Sequence, residues 1–261
     1  MAAGNMTSVG GATSGLGMED LWAALRAGLA DFRAAPLFGL FFAGVYVAIG
    51  LLIAQSLIAR GGVTWLLTAA AGFPLIAPFT AVGLYEVSRR REAGLPLSWS
   101  AILGAVRGRG DDQLMLMGAF LFVLFGFWIV LARGVIAIFL ADSAMAGLAD
   151  DPMAFLASGQ GLMMLLVGGA LGALMAFAVF AITVISLPML VDREVDVITA
   201  IITSISTVRA NPGVMLAWAA IIALSTLAAM APYFLGLLVV LPVIAHATWH
   251  LYRRAVDPAD R

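Results

Sequence analysis

The sequence predicts an all-α fold: a polytopic membrane helix bundle of six transmembrane helices. They fall into three parallel units, each an inner-surface amphipathic helix followed by a transmembrane hairpin. Three observations predict this. Hydrophobic residues fill 63% of the 261 positions and charged residues only 11%, whereas soluble domains carry roughly a quarter charged residues. The apolar residues come in runs long enough to cross a hydrocarbon core, which takes about 20 helical residues. Two of these runs follow a short amphipathic frame with the same spacing of Asp, Arg and Pro.

Residues 1–17 are rich in Gly, Ala, Ser and Thr and have no basic residue. They lack the charged start of a secretory signal and are expected to form a disordered cytoplasmic tail. A single transmembrane domain follows over residues 18–254, with approximate units 18–97, 98–194 and 195–254, and residues 255–261 close the chain as a polar tail. In the first unit, Asp20 to Pro36 places Leu21, Trp22, Leu25, Leu29 and Phe32 on one helical face. In the third, Asp196 to Pro212 places Val197, Ile198, Ile201, Ile202, Ile205 and Val208 on one face, with Thr199, Thr203, Ser206 and Thr207 opposite. A fainter copy, Trp99, Ile102, Leu103 and Val106, precedes the run that begins at Leu114. All three read as helices lying on a membrane surface.

The expected spans are Leu37–Ala59, Val63–Leu84, Leu114–Leu131 with an extension toward Leu140, Gly161–Val191, Val214–Met230 and Tyr233–Tyr252. Pro74 and Pro78 free backbone carbonyls in the second span, so that helix is expected to be kinked and central. Pro188 and Pro242 echo Pro74 in the later even-numbered helices. Tyr85 fits an interfacial aromatic belt. Gly168, Gly172 and Ala176, spaced four apart, are expected to let another helix approach closely. All 14 basic residues are Arg, which points to a GC-rich, bacterial genome. With both termini cytoplasmic, every Arg except Arg60 and Arg133 lies on the inner side, a strong bias for short loops. The expected location is the bacterial inner membrane.

The last span, with Leu241–Arg254, joins Pro74–Arg90 and Leu187–Pro212 in carrying a likeness. These segments resemble a bacterial family of predicted integral membrane proteins known only as a domain of unknown function. The resemblance implies no established activity, although some members are labelled putative cytochrome c oxidase subunits. The residues speak against a catalytic oxidase subunit. His246 and His250 are the only histidines, too few for two haems and copper, and they project from one side of one helix. A divalent metal suits the i, i+4 pair better, with Glu86, Asp192, Glu194 or Asp196 at similar depth, but no motif fixes those carboxylates nearby. The plainer expectation is that His246 bonds between helices and that His250 anchors at the interface beside Trp249 and Tyr252.

Other chemistries lack their residues. With no Cys there is no thiol nucleophile or thiolate metal site. A net charge of −1 gives no basis for binding nucleic acid by bulk charge. The chain has no phosphate-cradling Gly loop and no HExxH, and the spans offer no carboxylate at membrane depth. No cofactor is expected and the protein is not expected to be an enzyme. The favoured role is interaction, assembly or membrane organisation, with the bilayer and another membrane protein or a second copy as partners. The alternatives are a transporter of a small neutral or lipid-like solute, suggested by Pro-broken helices, and an accessory protein of a respiratory oxidase.

Overall fold

The computed structural model describes residues 15–59, 77–105, 112–139, 151–232 and 234–256, and among these the regular structure is all helical. The start of the expected tail, most of the second span including Pro74, the loop with Arg107 and Arg109, and residues 257–261 lie outside the described residues. The chain divides into two compact units, one made of Met1–Val47, Pro78–Met117 and Phe180–Arg261, the other of Ala48–Ala77 and Gly118–Val179.

The first unit is built around helix α1 (Met18–Ala34), which lies along helix α11 (Leu237–Val256). Asp20, Leu21, Ala24, Gly28 and Asp31 form the buried stripe of α1. Its small residues allow a close approach: a Cβ on Gly28 would stand 2.5 Å from the backbone nitrogen of Ala247 and 2.7 Å from the carbonyl oxygen of Val243. Asp20 starts the helix by accepting the Gly17 N–H at 2.9 Å, and its other oxygen accepts from Arg254 Nη1 at 3.1 Å. Pro242 lies inside α11 and is buried, close to Gly39 of helix α2 (Pro36–Ala59).

Prolines set the breaks, and side chains repair them. Helix α1 ends at Ala35 because Pro36 cannot continue the hydrogen-bond ladder but suits the first position of the next helix. The α1–α2 bend is 97°. Helix α9 (Val197–Ala210) ends the same way at Asn211 before helix α10 (Pro212–Met230), and the two break residues share one backbone conformation, φ −138° and ψ 55° at Ala35 against φ −129° and ψ 55° at Asn211. Between α7 (Gly159–Thr183) and α8 (Ser186–Asp192), Pro188 has no N–H for the Val184 carbonyl and its ring crowds that carbonyl. The Ser204 hydroxyl of α9 mends this break, accepting from Ile185 N–H at 3.2 Å and donating to the Ala181 carbonyl at 2.7 Å.

Helix α9 is inverted relative to a surface helix of a soluble protein. Its Thr203, Ser204 and Thr207 are buried, while Ile198 and Ile202 face outward. Thr203 and Thr207 satisfy their hydroxyls on the carbonyls of Thr199 and Thr203, one turn back. In α1 the expected apolar face splits: Leu21 packs inward, and Trp22 faces out. Trp22, Trp99 and Ile198 each stand fourteen positions ahead of Pro36, Gln113 and Pro212, the first residues of long helices. They are 57%, 43% and 66% exposed, so the register that faces outward is shared.

Three contacts connect these short helices in order. Phe38, in the first turn of α2, packs on Trp99, the first residue of α4 (Trp99–Gly104), with ring centroids 4.3 Å apart. Gln113, the first residue of α5 (Gln113–Phe139), accepts the N–H of Val197, the first residue of α9, at 2.9 Å. Asn211, just before α10, accepts the N–H groups of Gly15 and Leu16 ahead of α1, each at 3.0 Å.

In the second unit, Gly168 and Gly172 of α7 face Val135 and Trp128 of α5. A Cβ at either glycine would sit 3.5 Å from its neighbour, ordinary van der Waals contact, and Ala176 is exposed. Phe155, from α6 (Pro152–Ala157), packs with Ile136, Leu156 and Met164. Gln160 Nε2 donates to the Phe139 carbonyl at 2.8 Å.

Three helices among the described residues are long and apolar enough to cross a membrane: Gln113–Phe139, Gly159–Asp192 and Pro212–Met230; the bent pair Met18–Ala34 and Pro36–Leu52 makes a fourth if taken as one span. Of the six expected spans, Val63–Leu84 lies largely outside the described residues. Helix α11 does not join the three, since its second half carries His246, His250, Arg253 and Arg254. Gly28→Ala should force α1 off α11, because the new methyl meets backbone rather than a movable side chain. A loss of about 1–3 kcal/mol is expected, read as a lower unfolding temperature in detergent.

Candidate functional site

A buried polar cluster forms where α1, α11 and helix α3 (Ala77–Glu92) come together, all within the first unit. Asp31 of α1 is its hub. Its Oδ2 accepts from Ser88 Oγ of α3 at 2.6 Å and from His250 Nε2 of α11 at 2.9 Å, and its Oδ1 accepts from Arg91 Nε of α3 at 2.8 Å. Ser88 Oγ also lies 2.8 Å from His246 Nδ1, and both of these side chains are wholly buried. Ser88 has one proton and a carboxylate can only accept, so that proton goes to Asp31. His246 Nδ1 then carries hydrogen and donates to Ser88, leaving Nε2 as a buried nitrogen with no partner among the described residues.

The order of these groups decides the chemistry. In a hydrolytic triad the His takes the Ser proton and the acid orients the His. Here Ser88 stands between His246 and Asp31 and gives its proton to the acid, so its oxygen is not activated for attack. His250 faces acids on both nitrogens, with Nε2 on Asp31 and Nδ1 3.3 Å from Glu92 Oε1. Both nitrogens face groups that only accept, so the ring sits there as a doubly protonated cation.

The cluster continues outward. Arg253 Nε lies 3.4 Å from Glu92 and its Nη1 3.5 Å from Asp192. Asp192 accepts from Tyr252 Oη at 2.8 Å. Beside it on α3, Glu86 is held by Arg89 and Arg90 at 2.6 and 2.7 Å. Burial alone would raise the Asp31 pKa, but hydrogen bonds from His250, Ser88 and Arg91 outweigh it and hold the carboxyl at about 2.

The structure brings His246 and His250 into one cluster but pairs them differently from expectation. His246 does bond between helices, to Ser88. His250 is held by Asp31 and Glu92, a pairing the sequence did not indicate. Trp249 and Tyr252 are fully buried, and Tyr85 is buried too. The carboxylates named from sequence as neighbours of the pair give way to Asp31 and Glu92, although Asp192 joins through Arg253 and Tyr252. Among the described residues no group of three or more His, Asp or Glu could hold a metal ion. Asp31 was missed because it sits on a helix read as lying on the surface. Its signal was the stripe Asp20, Ala24, Gly28, Asp31, two acids flanking small residues on one face. Pro78 stands at the start of the described part of α3, and the residues before it, Pro74 among them, lie outside the described residues, so the expected kink is not described.

A chain with apolar helices, an inward-turned hydroxyl face and a closed charge cluster has the make-up of an integral membrane protein, and comparison agrees. Residues 66–192 match the DUF2189 family, described as a predicted integral membrane protein. The DUF2189 match takes in Ser88, Arg91, Glu92 and Asp192, while Asp31, His246 and His250 lie outside it. No match was found among curated proteins or among solved structures.

Asp31→Asn should remove the negative charge and replace one of the two accepting oxygens with a donor, leaving Arg91 and His250 facing a neutral amide. The expected loss is about 3 kcal/mol. Because the folded pKa lies below the unfolded one, Asp31 contributes fully above pH about 4, and its contribution fades as pH falls toward 2. Unfolding in detergent across that range should be steeper in the wild type than in Asp31→Asn. Parallel curves would show that Asp31 carries no such role.

Proposed function

We propose that this is a non-catalytic membrane protein whose role is interaction, assembly or membrane organisation. The reading rests on one observation, the collar of short helices. Each long helix that follows a short one touches, at its start, the beginning of the next short one: Phe38 on Trp99, Gln113 on Val197, and Asn211 on Gly15 and Leu16. This cyclic order supports three parallel units, each a surface helix leading into the membrane, with the expected six spans. The shared outward register of Trp22, Trp99 and Ile198 then lays a ring of apolar side chains at the level where lipid tails begin.

The buried cluster fits this role as a fastener. Its charges neutralise one another within the chain, with Asp31, Glu92 and Asp192 set against Arg91, Arg253 and His250. A charged-solute path needs ionisable groups facing a way through, and these face each other. We place the protein in the bacterial inner membrane with both termini and the collar on the cytoplasmic side, because the Arg residues concentrate there.

Proteoliposomes holding the full chain should give no solute-dependent flux, and native mass spectrometry after gentle extraction should find a bound lipid or protein. A saturable flux of a neutral solute would overturn the reading. Reporter fusions at Arg109 and Arg193 should read cytoplasmic and fusions at Gly61 and Asp150 external; an external signal at Arg109 would break the proposed topology.

A further inference from the structure

The described arginines of the first unit separate into two sets. Arg89, Arg90, Arg91, Arg193, Arg253 and Arg254 each pair with a carboxylate. Arg26, Arg33 and Arg209 are exposed and have no ion-pair partner among the described residues. Arg26 rests its Nε on the Trp22 carbonyl, one turn back, at 3.2 Å.

These free arginines share the outward face of the collar. Arg33 and Arg209 stand three positions ahead of Pro36 and Pro212, and eleven after Trp22 and Ile198, which is three helical turns. Each outward face therefore begins with a large apolar side chain and ends with a guanidinium, at the point where the chain turns into a long apolar helix. The helix C-terminus favours a cation there. The acids nearby do not compete: Asp196 spends its carboxylate on the N–H and hydroxyl of Thr199 at the far end of α9, and Glu19 lies at the far end of α1.

We propose that these faces bind anionic phospholipid, with Arg33 and Arg209 each taking a headgroup phosphate and Trp22, Ile198 and Ile202 lying against the upper acyl chains. The proposal deepens the membrane-organising reading and rests on it for the placement of the collar at the membrane surface. The planar guanidinium suits a phosphate because it offers paired N–H donors in a fixed fork. The apolar neighbours make a lipid, rather than a soluble anion, the occupant that satisfies both parts of the face.

The test uses the full chain in nanodiscs of mixed phosphatidylglycerol and phosphatidylcholine, ejected into a mass spectrometer so that retained lipids are counted. The wild type should retain phosphatidylglycerol preferentially, and the preference should fall by about fivefold for each arginine replaced in Arg33→Gln and Arg209→Gln. Arg33→Lys with Arg209→Lys should keep most of it, which separates loss of charge from loss of fold. Equal retention of the two lipids by the wild type, or an undiminished preference in the double Gln variant, would overturn the proposal. Either result would leave the non-catalytic reading standing, and a solute flux with intact lipid preference would do the reverse.

Discussion

The ion-paired hydrogen bonding of Asp31 is the interaction on which the first unit depends. A buried carboxylate is costly unless it is paired and bonded, and this one is met from two other segments at once: Ser88 and Arg91 come from α3, and His250 comes from α11. Because a single oxygen serves both Ser88 and His250, the three helices cannot shift independently. The close packing at Gly28, within a turn of Asp31, and the Asp20–Arg254 bond, about three turns away, then hold α1 along α11. The cluster selects one arrangement among the many that apolar helices would otherwise allow, since van der Waals contact between aliphatic surfaces is weakly directional.

Much of the helical layout was legible in the sequence because its determinants are local. Pro36 and Pro212 end short helices by removing a donor, and the matching conformations at Ala35 and Asn211 follow from the same constraint. Pro188, one of the even-helix echoes, marks a break at Val184. The cluster was not legible, because Asp31 finds Ser88 57 positions away and His250 219 positions away, and no pattern along the chain registers such distances. The orientation of α9 was half legible. Periodicity separates its isoleucines from its hydroxyls, but in a membrane the apolar stripe faces the lipid and the polar stripe turns to the protein, where backbone carbonyls wait to be bonded.

That inversion explains why hydroxyls recur at the junctions. Ser204 mends a broken helix, Thr203 and Thr207 bond back to their own helix, and Ser88 bridges His246 to Asp31. A hydroxyl donates and accepts in a small volume and carries no charge, so it can satisfy a stray backbone or side-chain group without the cost of burying an ion. Tyr252 does the same at the rim, giving its proton to Asp192.

The Asn211 contact has a consequence for how the chain is made. Gly15 and Leu16 precede α1, and the side chain that accepts their N–H groups is synthesised about two hundred residues later. At ribosomal speeds of about 5–20 residues per second, the head of the chain waits at least ten seconds for that partner and longer still for His250. Through that interval Asp31 lacks the histidine it will bind, so a truncated or stalled product exposes an acid that the finished protein conceals. The contacts around α1 thus close only after α9 and α11 have been made.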